Sequence, residues 1–474
     1  MLTIEELSKF IEDDKNSRLK QMGRVGQRYY EAEHDIKNYR LFYYNSDGDL
    51  VEDKTRSNVK ISHPFFTELV DQEVQYVLSG KNGFVFSDDP QLQDKLNEYF
   101  NDNEQFKMEL NEHLTGVVVK GFNHMYAYKN EEGKTQFESA DSLGVIELKA
   151  KDTSDHKDYV IYWYIEYVGK HQYTKVQVWD EAQTTYFSKM DNGVYELDKT
   201  EPINPRPHII YHIEGDERTY YDSYGFIPFF RMDNCKKRFS GLKPIKELID
   251  DYDLMSCGLS NNLQDASEYL VVVKGFQGND MEELMQNIKT KKHLGVDENG
   301  GVDYKTVDVP YEARKIKLEL DEKNIYRFGM GFNSAQLGDG NVTNVVIKSR
   351  YALLDIKANK LEINLRDFLS KLVKVVLDEI NQENKTDYSM KNVYFELERE
   401  IITNASDNAA IEKTDAEKKQ VEINTLLGLV GKLDDETINQ RICDILDIDY
   451  EDIKNKLPPD ETQVSMQTFG DLDE

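Results

Sequence analysis

The chain is 474 residues long and carries 59 Lys and Arg against 89 Asp and Glu, a net charge of −30 spread along its length. That length holds about two to four modules with their own cores. The charge excludes a sequence-reading DNA binder, which needs a basic stripe to neutralise phosphates.

Ile4 to about Arg40 reads as helices, with Leu7, Phe10 and Ile11 on one face of the first. Asn45 to Gly48 is a turn joining two short strands or lying in a loop. A helix capped by Ser62 is expected to bury Phe66, Leu69, Val70, Val74 and Val77 and to stop at Ser79 and Gly80. Gln91 to Leu114 also reads as helical. From about Val117 to Tyr211 the period falls to two. Val160 to Val168 and Lys175 to Trp179 are rich in β-branched and aromatic residues, and turns at Asn130 to Gly133 and Asp191 to Gly193 complete an antiparallel meander.

Ser240 and Pro244 open a helix carrying Leu248, Tyr252, Met255, Leu259 and Leu263. A small α/β unit follows: a strand from Tyr269 to Lys274, a helix from Asp280 to Lys289, and a hairpin from His293 to Lys305 turning through Asp297 to Gly301. Another helix spans Pro310 to Phe328. Gly329 to Gly340 is a loop with four glycines, free to take backbone angles that other residues avoid. As a phosphate cradle it fails, because Ser334 stands where a third glycine is needed and no strand precedes it.

From Asn344 apolar residues recur in steps of four and three: Ile347, Tyr351, Leu354, Ala358, Leu361, Leu365, Phe368, Leu372 and Val375. A second row, Leu369, Val373, Val376 and Ile380, joins them. The pattern predicts a helix roughly 55 Å long at about 1.5 Å per residue, buried on two faces toward its end. Val393 to Leu397 reads as a short strand. Two or three helices are expected around Ile423, Leu426, Leu427, Ile438, Ile442 and Leu446, and the acidic tail from Pro458 reads as disordered.

Catalytic chemistry finds little footing. The nine histidines are scattered. Only His208 and His212 have a ligand-like spacing, and a metal needs more ligands than that pair. No H-E-x-x-H, G-x-S-x-G or P-loop motif is present. The acidic pairs Asp250-Asp251, Asp434-Asp435 and Asp447 with Asp449 read as solvated faces rather than the metal-binding carboxylates of a nuclease. No catalytic residue, metal or cofactor is expected. Lys289, Lys291, Lys292 and His293 form the one local basic cluster. It suits a helix C-terminus, or a surface that meets DNA or an acidic partner. Cys235, Cys257 and Cys443 form no C-x-x-C and read as core thiols of a reducing compartment. The N-terminus has no basic signal region and no apolar run reaches membrane-spanning length, so an intracellular product without a membrane anchor is expected.

The order of parts nevertheless resembles a known family. Tyr29 to Ile36, Ser62 to Tyr76, Ile227 to Phe230, Leu242 to Tyr252, Tyr269 to Gly275 and Ile325 to Gly329 are similar to signatures of the portal proteins of long-tailed bacteriophages. The resemblance covers nearly the whole chain to about Ile380. It implies an α+β portal-type fold and a ring of about twelve subunits at one capsid vertex, through which double-stranded DNA enters and leaves. Residues 1–239 would be the wing with its meander, 240–267 and 310–328 the two stem helices, and 268–309 the clip. Residues 329–343 would be the tunnel loop, 344–403 the long wing helix and following strand, 404–457 the helical crown, and 458–474 the tail. Asn333, Gln336, Gly338, Asp339, Gly340, Asn341 and Thr343 would face the DNA, and Lys289 to His293 would belong to a docking surface on the clip. The implied partners are the terminase large subunit, a head-completion adaptor, and the major capsid and scaffold proteins. The implied location is the virion, after assembly in the bacterial cytoplasm. The competing reading is a coiled-coil scaffold protein without a DNA channel, against which the central strands and the stem-like helix pair both count.

Overall fold

Eleven apolar side chains on one helix organise the larger part of the chain. In the computed structural model, which describes residues 2–130, 133–149, 157–212, 218–265, 270–276, 296–305, 311–333, 344–399, 405–429, 435–446, 448 and 450, this helix spans Asn344–Asn384. Its 41 residues give a length of about 60 Å. Leu354, Ala358, Leu361, Leu365, Phe368, Leu372 and Val375 are buried along one row and Leu369, Val373, Val376 and Ile380 along the second, as the spacing predicts; Tyr351, earlier on the first row, is half-buried.

The chain divides into two units, residues 1–336 with 350–400, and residues 337–349 with 401–474. Helices of the first unit are α1 (Ile4–Lys15), α2 (Arg18–Tyr30), α3 (Phe65–Val77), α4 (Pro90–Leu96), α5 (Glu104–Lys120), α6 (Lys246–Asp265) and α7 (Tyr311–Gly329). The long helix is α8. Phe368 of α8 stacks on His113 of α5 at 4.3 Å, and Lys357 pairs with buried Glu73 of α3 at 2.9 Å. In the second unit α9 (Ala405–Leu427) and α10 (Asp435–Leu446) lie together, with Ile438 and Cys443 buried.

The strands form two main antiparallel sheets rather than one meander. Phe122–Lys129 is the centre of a three-stranded sheet, between Phe229–Asp233 and Thr135–Ala140. The larger sheet runs Glu196–Leu197, Gln183–Met190, His171–Trp179, Lys157–Val168, Val145–Lys149, with Arg206–Pro207 added beside Gln183–Met190. Alternation along Lys157–Val168 sends Ile161 to a core with Leu7 and Ile11 of α1, and Val160 to a core with Trp179, Ile227 and Phe229.

Local departures from the sequence reading each have a physical reason. The helix expected from Ser62 begins at Phe65 after Pro64, with no side-chain cap. Gln91 to Leu114 is interrupted, because Asn103 caps a new helix by accepting from the Phe106 N–H at 3.0 Å. That helix runs to Lys120 and ends at left-handed Gly121, so Val117 is helical and the strand-rich region starts at Phe122. Asp297 to Gly301 is not a turn. It lies within one strand, Val296–Lys305, paired with Leu270–Phe276 through an irregular register between Lys274 and Phe276. On α6 the buried row is Ile249, Asp253 and Cys257, while Leu263 is exposed. Cys235 is exposed rather than a core thiol. The expected clip helix from Asp280 to Lys289 and the tail from Pro458 lie outside the described residues.

Candidate functional site

The loop after α7 leaves its helix on a Schellman-type turn: the Gly331 N–H donates to Tyr326 O at 3.0 Å and the Met330 N–H to Arg327 O at 3.3 Å. The residue in the left-handed region is Met330, with φ of 56°, not a glycine. Gly329 and Gly331 serve close packing instead. A Cβ on Gly329 would lie 2.6 Å from Leu69 Cδ1, and one on Gly331 would lie 2.0 Å from Leu69 Cδ2. Leu69 belongs to the buried face of α3, so the two glycines let the loop root lie directly on that helix.

Gln72, one turn further along α3, grips the root by its backbone. Its Nε2 donates to Phe332 O at 2.7 Å, and the Phe332 N–H donates to its Oε1 at 2.9 Å. This reproduces both bonds of a strand pair with one carboxamide. The same Nε2 donates to Glu68 Oε1 at 3.0 Å, and Glu68 Oε2 accepts from Tyr326 Oη at 2.6 Å. Burial, then this carboxylate, raises the Tyr326 phenol above its ordinary value. The Phe332 ring stacks on Tyr351 of α8 at 5.0 Å, and Asn333 Nδ2 donates to Glu322 Oε1 at 2.8 Å. Helices α3, α7 and α8 therefore all hold the root. The nearby carboxylates Glu68 and Glu322 give it acidic character.

Of the expected loop residues, Asn333 is placed at this root. Gln336, Gly338, Asp339, Gly340, Asn341 and Thr343 lie outside the described residues, as do Lys289, Lys291, Lys292 and His293.

The junction of α6 with α2 and α3 holds a cluster that sequence reading missed. Asp253 is fully buried, and His34 Nδ1 and His63 Nδ1 meet its two carboxylate oxygens at 2.6 and 2.7 Å. The His63 N–H adds a third bond at 3.0 Å. Burial opposes ionisation of Asp253, yet these hydrogen bonds outweigh it and hold the carboxyl below its ordinary value. Buried His34 also stacks on Tyr29 at 4.4 Å. Beside this cluster Lys246 bridges Asp35 and Asp250, both at 2.7 Å. The only hint in the sequence was an Asp in step with Ile249 and Cys257.

Other chemical candidates separate. Asp250 faces Lys246, whereas Asp251 pairs with Lys317 at 2.5 Å, so the two carboxylates do not converge. His208 lies beside Trp179 at 5.4 Å, and burial pushes its ring down to about 4. His212 ends the strand Ile209–His212, opposite Thr219. Among the described residues no group of three or more His, Cys, Asp or Glu is arranged to hold a metal, and no helix is long and apolar enough to cross a membrane.

A family model described as "Phage portal protein, SPP1 Gp6-like" matches residues 8–454. The chain is 28% identical over 345 residues to the portal protein of Bacillus phage SPP1, covering 72% of this chain and 66%, just under two thirds, of that relative. It is 24% identical over 400 residues to the portal protein of Clostridium phage phiCD119, covering 81% of this chain and 83% of the relative.

Proposed function

This chain belongs to the phage portal protein family, and from that premise we propose that it closes into a ring at one capsid vertex and conducts double-stranded DNA during packaging and ejection. The observation that carries this reading is the loop root. Two long helices, α7 and α8, meet at a segment fastened by Gln72, Leu69 and Tyr351, so a loop springing from it has a rigid base. Residues 329–343 contain no Lys or Arg. About twelve copies at −30 each give a ring near −360, which repels phosphate along the channel wall. A conduit works by not holding its cargo.

In this reading the chain carries out no reaction and needs no cofactor. Residues 1–239 form the wing, 240–267 and 310–328 the stem, 268–309 the clip, 329–343 the tunnel loop, 344–403 the long helix and its following strand, and 404–457 the crown. Asn333, Gln336, Asp339, Asn341 and Thr343 offer the DNA neutral or repelling contacts, and Gly338 and Gly340 give the loop its backbone freedom. Terminase docks on the clip near Lys289, Lys291, Lys292 and His293 and supplies the ATP hydrolysis; a head-completion adaptor follows it. The wing meets the capsid and scaffold proteins, with assembly in the bacterial cytoplasm and final residence in the virion.

The test is a chain with Gly338→Pro and Gly340→Pro together. Rings should form as usual while DNA packaged per head falls. Normal packaging by ring-forming variant protein would refute the moving-loop role.

A further inference from the structure

A cleft of about 300 Å³ opens where the start of α2, the edge strand Val145–Lys149 and the small sheet come together. Four cations line it, Lys20, Lys149, Arg231 and Arg238, against two carboxylates, Asp14 and Glu147. The chain as a whole stands at −30, so this local excess of two positive charges runs against its general character.

Strand register builds the inner wall. Arg231 stands directly opposite His124, and Asp233 opposite Phe122, so these four side chains share one face of the three-stranded sheet. Asp233 holds two guanidinium groups side by side: Arg231 Nε donates to its Oδ1 at 2.8 Å, and Arg238 Nε stands 3.4 Å from its Oδ2. Arg231 Nη1 also meets Glu147, which Lys157 meets at 2.7 Å. Among the described residues these contacts leave Nη2 of Arg231 and both terminal nitrogens of Arg238 unspent. Arg238 also lies over the Phe122 ring at 5.7 Å. Its backbone is in the left-handed region at φ of 54°, which a non-glycine residue adopts at a cost. Lys20, by contrast, is spent on Asp14 and on the carbonyls of Leu143 and Val145, at 3.1 and 2.8 Å.

Two more groups line the same space. His124 is buried, yet neither of its ring nitrogens has a hydrogen-bond partner among the described residues. Glu147 Oε1 stands 3.7 Å from Nε2, beyond hydrogen-bond distance. Burial pushes this imidazole down to about 4, so at pH 7 it is neutral and has one N–H to give. Ser17 stands at the N-cap of α2, but its side chain caps nothing and the first turn of α2 holds no acidic residue. The first-turn N–H groups and the positive end of the helix dipole thus adjoin the cleft with no acidic side chain in that turn to answer them.

We propose that this cleft binds a phosphate group carried by a small molecule, either inorganic phosphate or a phosphomonoester no larger than a nucleotide. Arg231 and Arg238 clamp the phosphate oxygens through charge-assisted bonds, His124 donates from the floor, and the start of α2 adds its dipole. The volume is at the lower end for small-molecule sites. A terminal phosphate can reach buried His124, whereas a phosphodiester of a DNA duplex, tied on both sides, is kept at the surface. The site is complete within one subunit, so it does not depend on ring closure.

Isothermal titration calorimetry of the full-length chain with inorganic phosphate, and separately with AMP, at constant ionic strength is the test. One ligand per chain should bind with a Kd of about 1 mM or tighter. Arg238→Gln should weaken binding at least about tenfold. Its side chain is one-third exposed, so circular dichroism should not change. Arg56→Gln, which removes an exposed cation lining no part of the cleft, should leave binding unaltered. On wild type alone, phosphate should slow amide hydrogen exchange at the start of α2 and in Phe229–Asp233. Tighter binding of AMP than of phosphate would support a phosphomonoester, and phosphate binding without AMP the free ion. No saturable heat from either, or binding that Arg238→Gln leaves unchanged, would overturn the site. So would binding of a DNA duplex without terminal phosphates, lost in Arg238→Gln, when phosphate and AMP do not bind; that result marks a DNA-backbone contact.

Discussion

Gln72 offers the sharpest perturbation of the loop root. Its carboxamide makes two bonds to the Phe332 backbone, at 2.7 and 2.9 Å. At about 1 kcal/mol net per neutral bond, Gln72→Ala costs about 2 kcal/mol of local stability. Read as hydrogen exchange at the Phe332 amide in assembled protein, that is about a 30-fold loss of protection. Gln72→Glu is nearly isosteric and more instructive. At pH 7 its carboxylate still accepts from the Phe332 N–H, but its second oxygen faces the Phe332 carbonyl and the Glu68 carboxylate, so a bond becomes a repulsion. Protonation restores the donor. The folded-state pKa of Glu at position 72 is therefore raised above the unfolded value of about 4.3. Its stabilising protonated form is fully present below that value and is lost as pH rises through the folded pKa. The variant should thus be less protected than wild type at pH 7 and match it near pH 4. Protection of Gln72→Ala equal to wild type, or a deficit in Gln72→Glu that ignores pH, would refute the clamp.

Two further outcomes follow from packing and burial. Gly331→Ala places a methyl 2.0 Å from Leu69 Cδ2 and should cost about 1–3 kcal/mol in urea unfolding. Leu69→Ala should relieve that clash, giving a coupling of at least about 1 kcal/mol in the double-mutant cycle, and additive losses would contradict it. Burial pushes His113 down to about 3 and His124 down to about 4, from ordinary values of 6.5. The unfolded chain takes up these protons first, so stability is present above about pH 6.5 and is lost as pH falls toward the folded values, by about 2 kcal/mol per histidine at pH 5. Denaturant midpoints measured between pH 4.5 and 7.5 should show this slope, and His113→Gln should flatten it; an unchanged slope would count against the assignment.

Helix α8 was legible because its burial is uniform. Rows such as Leu361, Leu365, Phe368 and Leu372 are apolar at helical spacing, and apolar burial obeys that spacing. On α6 the same rule points to the wrong face, because the buried row contains Asp253. A carboxylate enters a core only when distant groups receive it, and His34 and His63 lie some two hundred residues away in sequence. Of the four glycines in the loop, Gly329 and Gly331 answer to the close approach of Leu69 rather than to backbone freedom, while the strained angle falls on Met330. The turn expected at Asp297 to Gly301 failed for a related reason: pairing with Leu270–Phe276 overrides the local preference of Asn and Gly for turns.

Closure of the chain into a ring with a channel is tested most directly by native mass spectrometry of the purified full-length chain with negative-stain images of the same sample. A closed ring of about twelve copies, or one copy more or fewer, with a central hole is the expected result. Monomers and dimers alone, across salt and protein concentration and with the phage's scaffold and capsid proteins co-expressed, would contradict it.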